Sequence, residues 1–286
     1  MDNMKSFKSI AGIKINYNRV NYEMYRSKGI ETTFRSNEKF YSTLEKCFKE
    51  LILFFPDGKP EIITSAGGYI FGAPGEHGRG NAIDLDGFHW KNKNFITLDY
   101  NTNLPFYLAT QAILYKHFGV VLGFLFNAAH RDHFHCDLSY LPGFYKSKTY
   151  IKFIQCVLSN IYNINTVIDG QYGDKTEAAL SVALDRLNMK NNGLYPLIDL
   201  QGKWLKFLTE TAKIGFNKIN PAPAKVIDTN PLQKLHNLYS VIKTELSETA
   251  LRKPIEAALN QFSNDEDIQK FLEQYKPREE KNEHGS

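Results

Sequence analysis

The stretch 76–88 reads EHGRGNAIDLDGF, and a second block, 127–138, reads NAAHRDHFHCDL. Together they hold four of the chain's eight histidines, each block with carboxylates close by. Within NAIDLDG the residues alternate, Ile83 and Leu85 against Ala82, Asp84 and Asp86. That is the period of a strand with one face turned to a core. HFHCDLS at 133–139 repeats the pattern, with His133 and His135 on one face and Phe134 and Cys136 on the other. Two such strands imply a sheet whose polar face carries a site.

Working outward, residues 38–55 place Phe40, Leu44, Phe48, Leu51 and Phe55 at three- and four-residue steps, the period of an amphipathic helix. PDGKP then breaks the chain, and EIITSAGGYIFG reads as a strand running into a Gly-rich turn. LPFYLATQAILYKHFG at 104–119 reads as a helix closed by Gly119 in a left-handed cap. The order strand, turn, strand, helix, strand predicts an α+β domain with a small, mostly antiparallel sheet.

LPGFYKSK at 141–148 reads as a linker, and all-α segments follow. YIKFIQCVLSNIY and EAALSVALDRL are helical, joined by the turn IDGQYGDKT, with Asp174 as N-cap and Glu177 completing a capping box. NPAPAK at 220–225 is a second linker. In the tail, Leu232, Leu235, Leu238, Ile242 and Leu246 form a helical stripe, Ser263 and Glu266 suit a further cap, and PREEKNEHGS reads as disordered. The expected division is 1–148, 149–220 and 221–286.

Hydrophobic residues at 42% and charged residues at 23% are ordinary for a globular chain able to bury a core. The net charge of +4 suits approach to an anionic polymer, a bacterial wall or a nucleic acid, and suits a slightly basic soluble protein at least as well. Cys47, Cys136 and Cys156 are odd in number and form no CxxC pair, which points away from a disulfide framework. The first residues show no apolar run of a secretory signal, and no segment reaches the roughly 18 apolar residues of a membrane span. The expectation is a protein cytoplasmic as synthesised and without membrane insertion. It would act in the periplasm or wall only after delivery by other machinery.

The chemistry rests on convergence. Gly78 and Gly80 let the backbone turn, so His77 can swing round to Asp84. Two imidazoles and a carboxylate suit zinc, whose catalytic sites leave the fourth position to water and lower its pKa toward about 7. A nearby carboxylate would then serve as general base. The plain alternative is a set of surface histidines, with His77 capping backbone groups and Asp84 in a turn. Lone His89, His117 and His236, and His130 beside them, read as structural; Cys136 reads as core.

EHGRGNAIDLDGF with NAAHRDHFHCDL resembles the bacterial extensin-like C-terminal domain, of the lysostaphin, D-Ala-D-Ala metallopeptidase and Sonic hedgehog superfamily. The resemblance spans about residues 25–142, its specificity lying in the two blocks. It implies zinc held by His77, Asp84 and His135. It also implies a base three residues before the last ligand, which is Asp132, with His133 as a hydrogen-bonder to the transition state. Strand alternation instead puts His133 on the face of His135; the resemblance decides the assignment, with Asp132 as base, reaching the site from a bend at the strand's start, and His133 as the hydrogen-bonder. The superfamily usually has Ser where this chain has Gly75. Its D-Ala-D-Ala members carry an Arg near the strand that is SAGGYIFG here, and none is present. Arg79, Arg131, His133 or the metal alone are left to steady the oxyanion.

FIQCVLSNIYNINTVIDGQYGDKTEAALSVAL resembles the peptidoglycan-binding three-helix domain, in the Gln of the first helix and in Asp169, Gly170, Gly173, Thr176 and Ala179. Together the resemblances imply a zinc metallopeptidase, a peptidoglycan hydrolase cleaving a stem or cross-link peptide bond. Its partner would be peptidoglycan rather than nucleic acid. It would serve as a phage lysis enzyme, or as an antibacterial effector with an immunity protein and a secretion-machine component. The alternatives are a catalytically inactive zinc-containing wall-binding module and a sugar hydrolase, for which no carboxylate pair stands out.

Overall fold

The Phe and Leu spacing of 38–55 becomes α1, Glu38–Phe54, with Phe40, Leu44, Cys47, Phe48 and Leu51 buried along it. Asn37 caps it, its side chain accepting from Lys39 N. In this computed structural model the described residues are 4–20, 25–189 and 196–217. They belong to one compact unit, Met1–Ala222. The expectations for the linker at 220–225, for 221–286 with its stripe, caps and tail, and for His236 lie outside the described residues.

The fold is α+β. An eight-stranded sheet takes the order β2 (Ser9–Ile10), β3 (Ile13–Tyr17), β6 (Ile62–Gly67), β7 (Ala82–His89), β10 (Phe134–Asp137), β9 (Val120–Leu122). β4 (Ile30–Glu31) pairs with β3, and β8 (Asn94–Ile96) pairs with β7. β1 (Met4–Phe7) and β5 (Phe34–Asn37) form a separate two-stranded ribbon. The sheet is mixed, which corrects the expectation of a small, mostly antiparallel one: β3 and β6 run parallel. The cause is the path through α1, since a chain that crosses a sheet face by a helix and returns to it arrives parallel.

Behind the sheet lies α3, Leu104–His117, in which every residue from Phe106 to Tyr115 is buried. A helix buried all round needs cover on every side. α1 covers part of it, and the helices after residue 148 cover the rest. In α4, Lys148–Asn160, Tyr150 and Phe153 bring their rings to 4.7 and 5.0 Å from Tyr115. α5 is Asp174–Arg186 and α6 is Pro196–Gly202. α7, Trp204–Asn217, sets Phe216 edge-on to Phe106 at 5.1 Å. A Cβ on Gly215 would lie 2.9 Å from that of Ala109, so bare backbone lets α7 close on α3. One hydrophobic core therefore runs from Phe7 to Phe216. The junction expected at 148/149 lies within shared packing.

Two local expectations are corrected. α3 ends at Phe118 in extended backbone, not in a left-handed Gly119. A Cβ on Gly119 would lie 2.0 Å from Tyr140 O, so that glycine serves a close chain approach. Gly173, not Asp174, holds the cap position of α5 and makes no side-chain cap bond. Asp174 and Glu177 instead sit in the first turn, where they favour the helix dipole.

Candidate metal centre

The register of β7 and β10 builds the site: His135 stands directly opposite Asp84. Directly paired residues share a face and bring their side chains together. On the other edge of β7 the pairing with β6 shifts on both sides of Ser65. Such bulges re-aim side chains. Ser65 Oγ fixes this one, donating to Asp84 O at 2.6 Å and accepting from Gly67 N at 3.1 Å.

His77 comes from a single helical turn, α2, Gly75–Arg79, closed by Gly80 at φ 71° in the left-handed region. A Cβ on Gly78 would lie 1.7 Å from Ala73 O. Both glycines of HGRG are thus required for the chain to fold His77 back over Asp84, as the sequence implied.

His77, Asp84 and His135 converge as a group able to hold a metal ion. Nε2 of His77 lies 3.2 Å from Nδ1 of His135 and 3.3 Å from Oδ2 of Asp84. Nδ1 of His135 lies 2.9 Å from Oδ1 of Asp84. Bond lengths of about 2.0–2.1 Å around a tetrahedral ion give ligand edges of about 3.3 Å, close to this triangle.

The outer partners set the tautomers. Nδ1 of His77 donates to Gly68 O at 2.7 Å, and Nε2 of His135 donates to Asp137 at 3.0 Å. The remaining ring nitrogens, facing inward, are lone-pair donors in the neutral imidazoles. Two lone pairs and a carboxylate at this range repel unless a cation or a proton lies among them. Without a metal the proton takes that place. Burial works against charging His135, but its bonds to Asp137 and Asp84 outweigh this and hold it up to about 9. His77 is raised by its bond to Asp84. Burial would lift the Asp84 carboxyl, yet His135 and His77 hold it well below the usual range. Such outer-shell bonding is what metal-binding histidines carry.

Asp132 and His133 lie beside the triangle, ahead of β10 rather than within it. Nδ1 of His133 donates to Asp132 Oδ1 at 2.7 Å, and its Nε2 lies 3.7 Å from Asp84 Oδ1. The second Asp132 oxygen accepts from Arg19 at 2.9 Å. Arg19 also forms a bidentate pair with the buried Asp86, at 2.8 and 2.7 Å. Burial pushes the Asp86 carboxyl up to about 6 although Arg19 opposes it. For Asp132 burial acts upward as well, but Arg19 and His133 win and hold it low.

Sequence reading missed Arg19, Tyr25, Thr97, Gly68 and Asp137. Asp137 was within reach, since alternation puts it on the face of His135; the others are distant in sequence. Of the groups expected to steady an oxyanion, Arg79 pairs with Glu76, and Arg131 lies over the Tyr100 ring at 6.0 Å. His133 alone of these contacts the triangle.

The remaining expected bystanders are placed. His117 pairs with Glu50 at 2.7 Å, and His89 lies 3.3 Å from Thr64 Oγ1. His130 bonds Asn127 at 2.7 Å, yet its ring centroid is only 5.2 Å from that of His133, so it forms part of the rim. Cys136 is fully buried in the core.

Residues 69–146 match the family model of the extensin-like protein C-terminus. No curated protein and no solved structure matches the chain. The matched segment contains the triangle, Asp132 and His133, but neither Arg19 nor Tyr25.

Proposed function

We propose that this protein is a zinc-dependent peptidase acting on peptidoglycan, cleaving a peptide bond of the stem or cross-link. The observation that carries the reading is the triangle of inward-facing donors, with a proton-carrying dyad at its edge. His77, Asp84 and His135 would hold the ion, and Gly68 and Asp137 keep the two rings aimed. Zinc bound there supplies Lewis acidity and water of lowered pKa at an open position.

Asp132 was expected as base and His133 as hydrogen-bonder. The geometry favours the reverse. Both Asp132 oxygens already accept charge-assisted bonds, which makes a carboxylate a weak base. His133 presents its Nε2 on the side of Asp84, 3.7 Å from Oδ1. That nitrogen takes a proton from the attacking water and returns it to the leaving amine. Asp132 holds the Nδ1 proton and steadies the imidazolium, as an Asp does for a catalytic His. The extensin-like match and the resemblance of 153–184 to wall-binding domains support peptidoglycan as the polymer.

Purified sacculi test this. The expected result is release of free amines, abolished by chelator and restored by zinc, with no reducing sugar released. Binding to sacculi without amine release would favour an inactive wall-binding module. Reducing sugar would make the protein a glycosidase.

A further inference from the structure

We infer that Arg19 is a positioning residue that sets the aim of His133 through Asp132, an inference that rests on the peptidase reading above. Arg19 follows β3, far from the two histidine blocks, and it reaches two carboxylates at once. Its Nε and Nη2 take Asp86, which is fully buried, while its Nη1 takes Asp132 Oδ2 at 2.9 Å. The guanidinium is planar and rigid, so two bonds to Asp86 fix the direction of the third. Its outer face is covered by Tyr25, whose ring lies 4.4 Å from the guanidinium carbon.

The same cluster pins the main chain of Asp132. Tyr25 donates its hydroxyl to Asp132 O, and the single proton of Thr97 Oγ1 is shared within hydrogen-bond reach of both Asp132 O and Asp86 O, the latter at 2.8 Å. Asp132 is thereby held at its backbone and at one carboxylate oxygen. The other oxygen is left to a single task, the Nδ1 proton of His133 at 2.7 Å. An Asp free to rotate would offer either oxygen or none. The clamped one permits His133 only the Nδ1–H tautomer, with the Nε2 lone pair directed outward to Asp84 and the open site.

Removing Arg19 alone would strand the buried Asp86 charge and threaten the fold. The test variant is therefore Arg19→Met with Asp86→Asn, compared with the parent, and with Asp86→Asn alone to separate the loss of Asp86. Imidazole-region NMR of the zinc-loaded protein reads the first outcome. The His133 Nδ1 proton should be a sharp, slowly exchanging signal in the parent and should broaden away in the double variant. The second readout is kinetic: kcat should fall about 10- to 100-fold, the usual cost of losing an outer-shell partner, with KM unchanged. In an Asp132→Asn background, removing Arg19 should cost nothing more, because its effect passes through Asp132. A His133 signal that persists without Arg19, or full additivity with Asp132→Asn, would overturn the inference. If Asp86→Asn and the parent both release no amine, the peptidase reading fails while the NMR result still decides the role of Arg19.

Discussion

Two regions of this molecule are marked by short polar motifs, and they use their hydrogen bonds in opposite ways. In the helical region, Gln155 is buried and satisfied by its own chain. The two protons of its Nε2 are shared among three acceptors in reach, Asp169 Oδ1 at 2.9 Å, Gln171 O at 3.0 Å and Thr176 Oγ1 at 3.1 Å. Its Oε1 accepts from Gly170 N at 2.8 Å. Gly170 takes φ 78°, and a Cβ there would meet Lys148 Cγ at 2.5 Å. Gln155, Asp169, Gly170 and Thr176 thus build a turn. On the sheet, the inward ring nitrogens of His77 and His135 instead converge with the Asp84 carboxylate as a group able to hold a metal ion. A motif closed on its own backbone is part of the fold; one whose side chains converge on a single point can serve as a site.

The largest effect expected on this contrast comes from His133→Ala. It should keep the metal and lower the rate of amine release roughly 100- to 10,000-fold, the range for losing a general base. Single-turnover digestion of sacculi checks it; a rate near the parent's would return the base to Asp132.

Gln155→Leu breaks the other region. It leaves Gly170 N and its neighbours unpaired, so the fold should lose about 2 kcal/mol in denaturant titration. Metal content should not change. Metal loss in this variant would mean that the two regions are not separable.

The pH dependence sharpens the site itself. In the metal-free protein His135 is held up to about 9. A raised folded value means that the proton stays on below that pH and that metal must expel it. Zinc affinity should therefore rise about tenfold per pH unit as pH climbs toward 9. By the same sign, the chelated protein should have this stabilisation in full below about 6.5 and lose it as pH rises through about 9. Competition with a chromophoric chelator, and melting curves with and without chelator, read the two trends. A flat affinity profile would contradict the assigned tautomers.

Smallest of all is His117→Ala. Its ring pairs with Glu50, so zinc stoichiometry should be unchanged while that contact is lost. A changed metal content would place an unrecognised ligand on α3.

The ligand triangle was legible because strand alternation and two glycines constrain it locally. Period two placed Asp84 and, on the second strand, both His133 and His135, and Gly78 and Gly80 gave His77 its freedom; the choice of His135 over His133 came from the family resemblance. The helix α1 was legible from its stripe. The strands before residue 38 were not, because β1 to β5 are too short to show a period. The parallel pairing of β3 with β6 depends on a crossover that no local pattern records. Arg19 was invisible for the same reason: its partners Asp86 and Asp132 lie 67 and 113 residues away. The function of Gly119 turned on a distant carbonyl, Tyr140 O, so its cap reading failed.

Elemental analysis of the purified protein tests the central claim most directly, run in parallel on the parent, His77→Ala, His135→Ala and Asp132→Asn. The account predicts one zinc per chain in the parent and in Asp132→Asn, and none in either histidine variant. A parent without metal, or a His77→Ala protein that keeps it, would contradict the claim that His77, Asp84 and His135 form the metal centre.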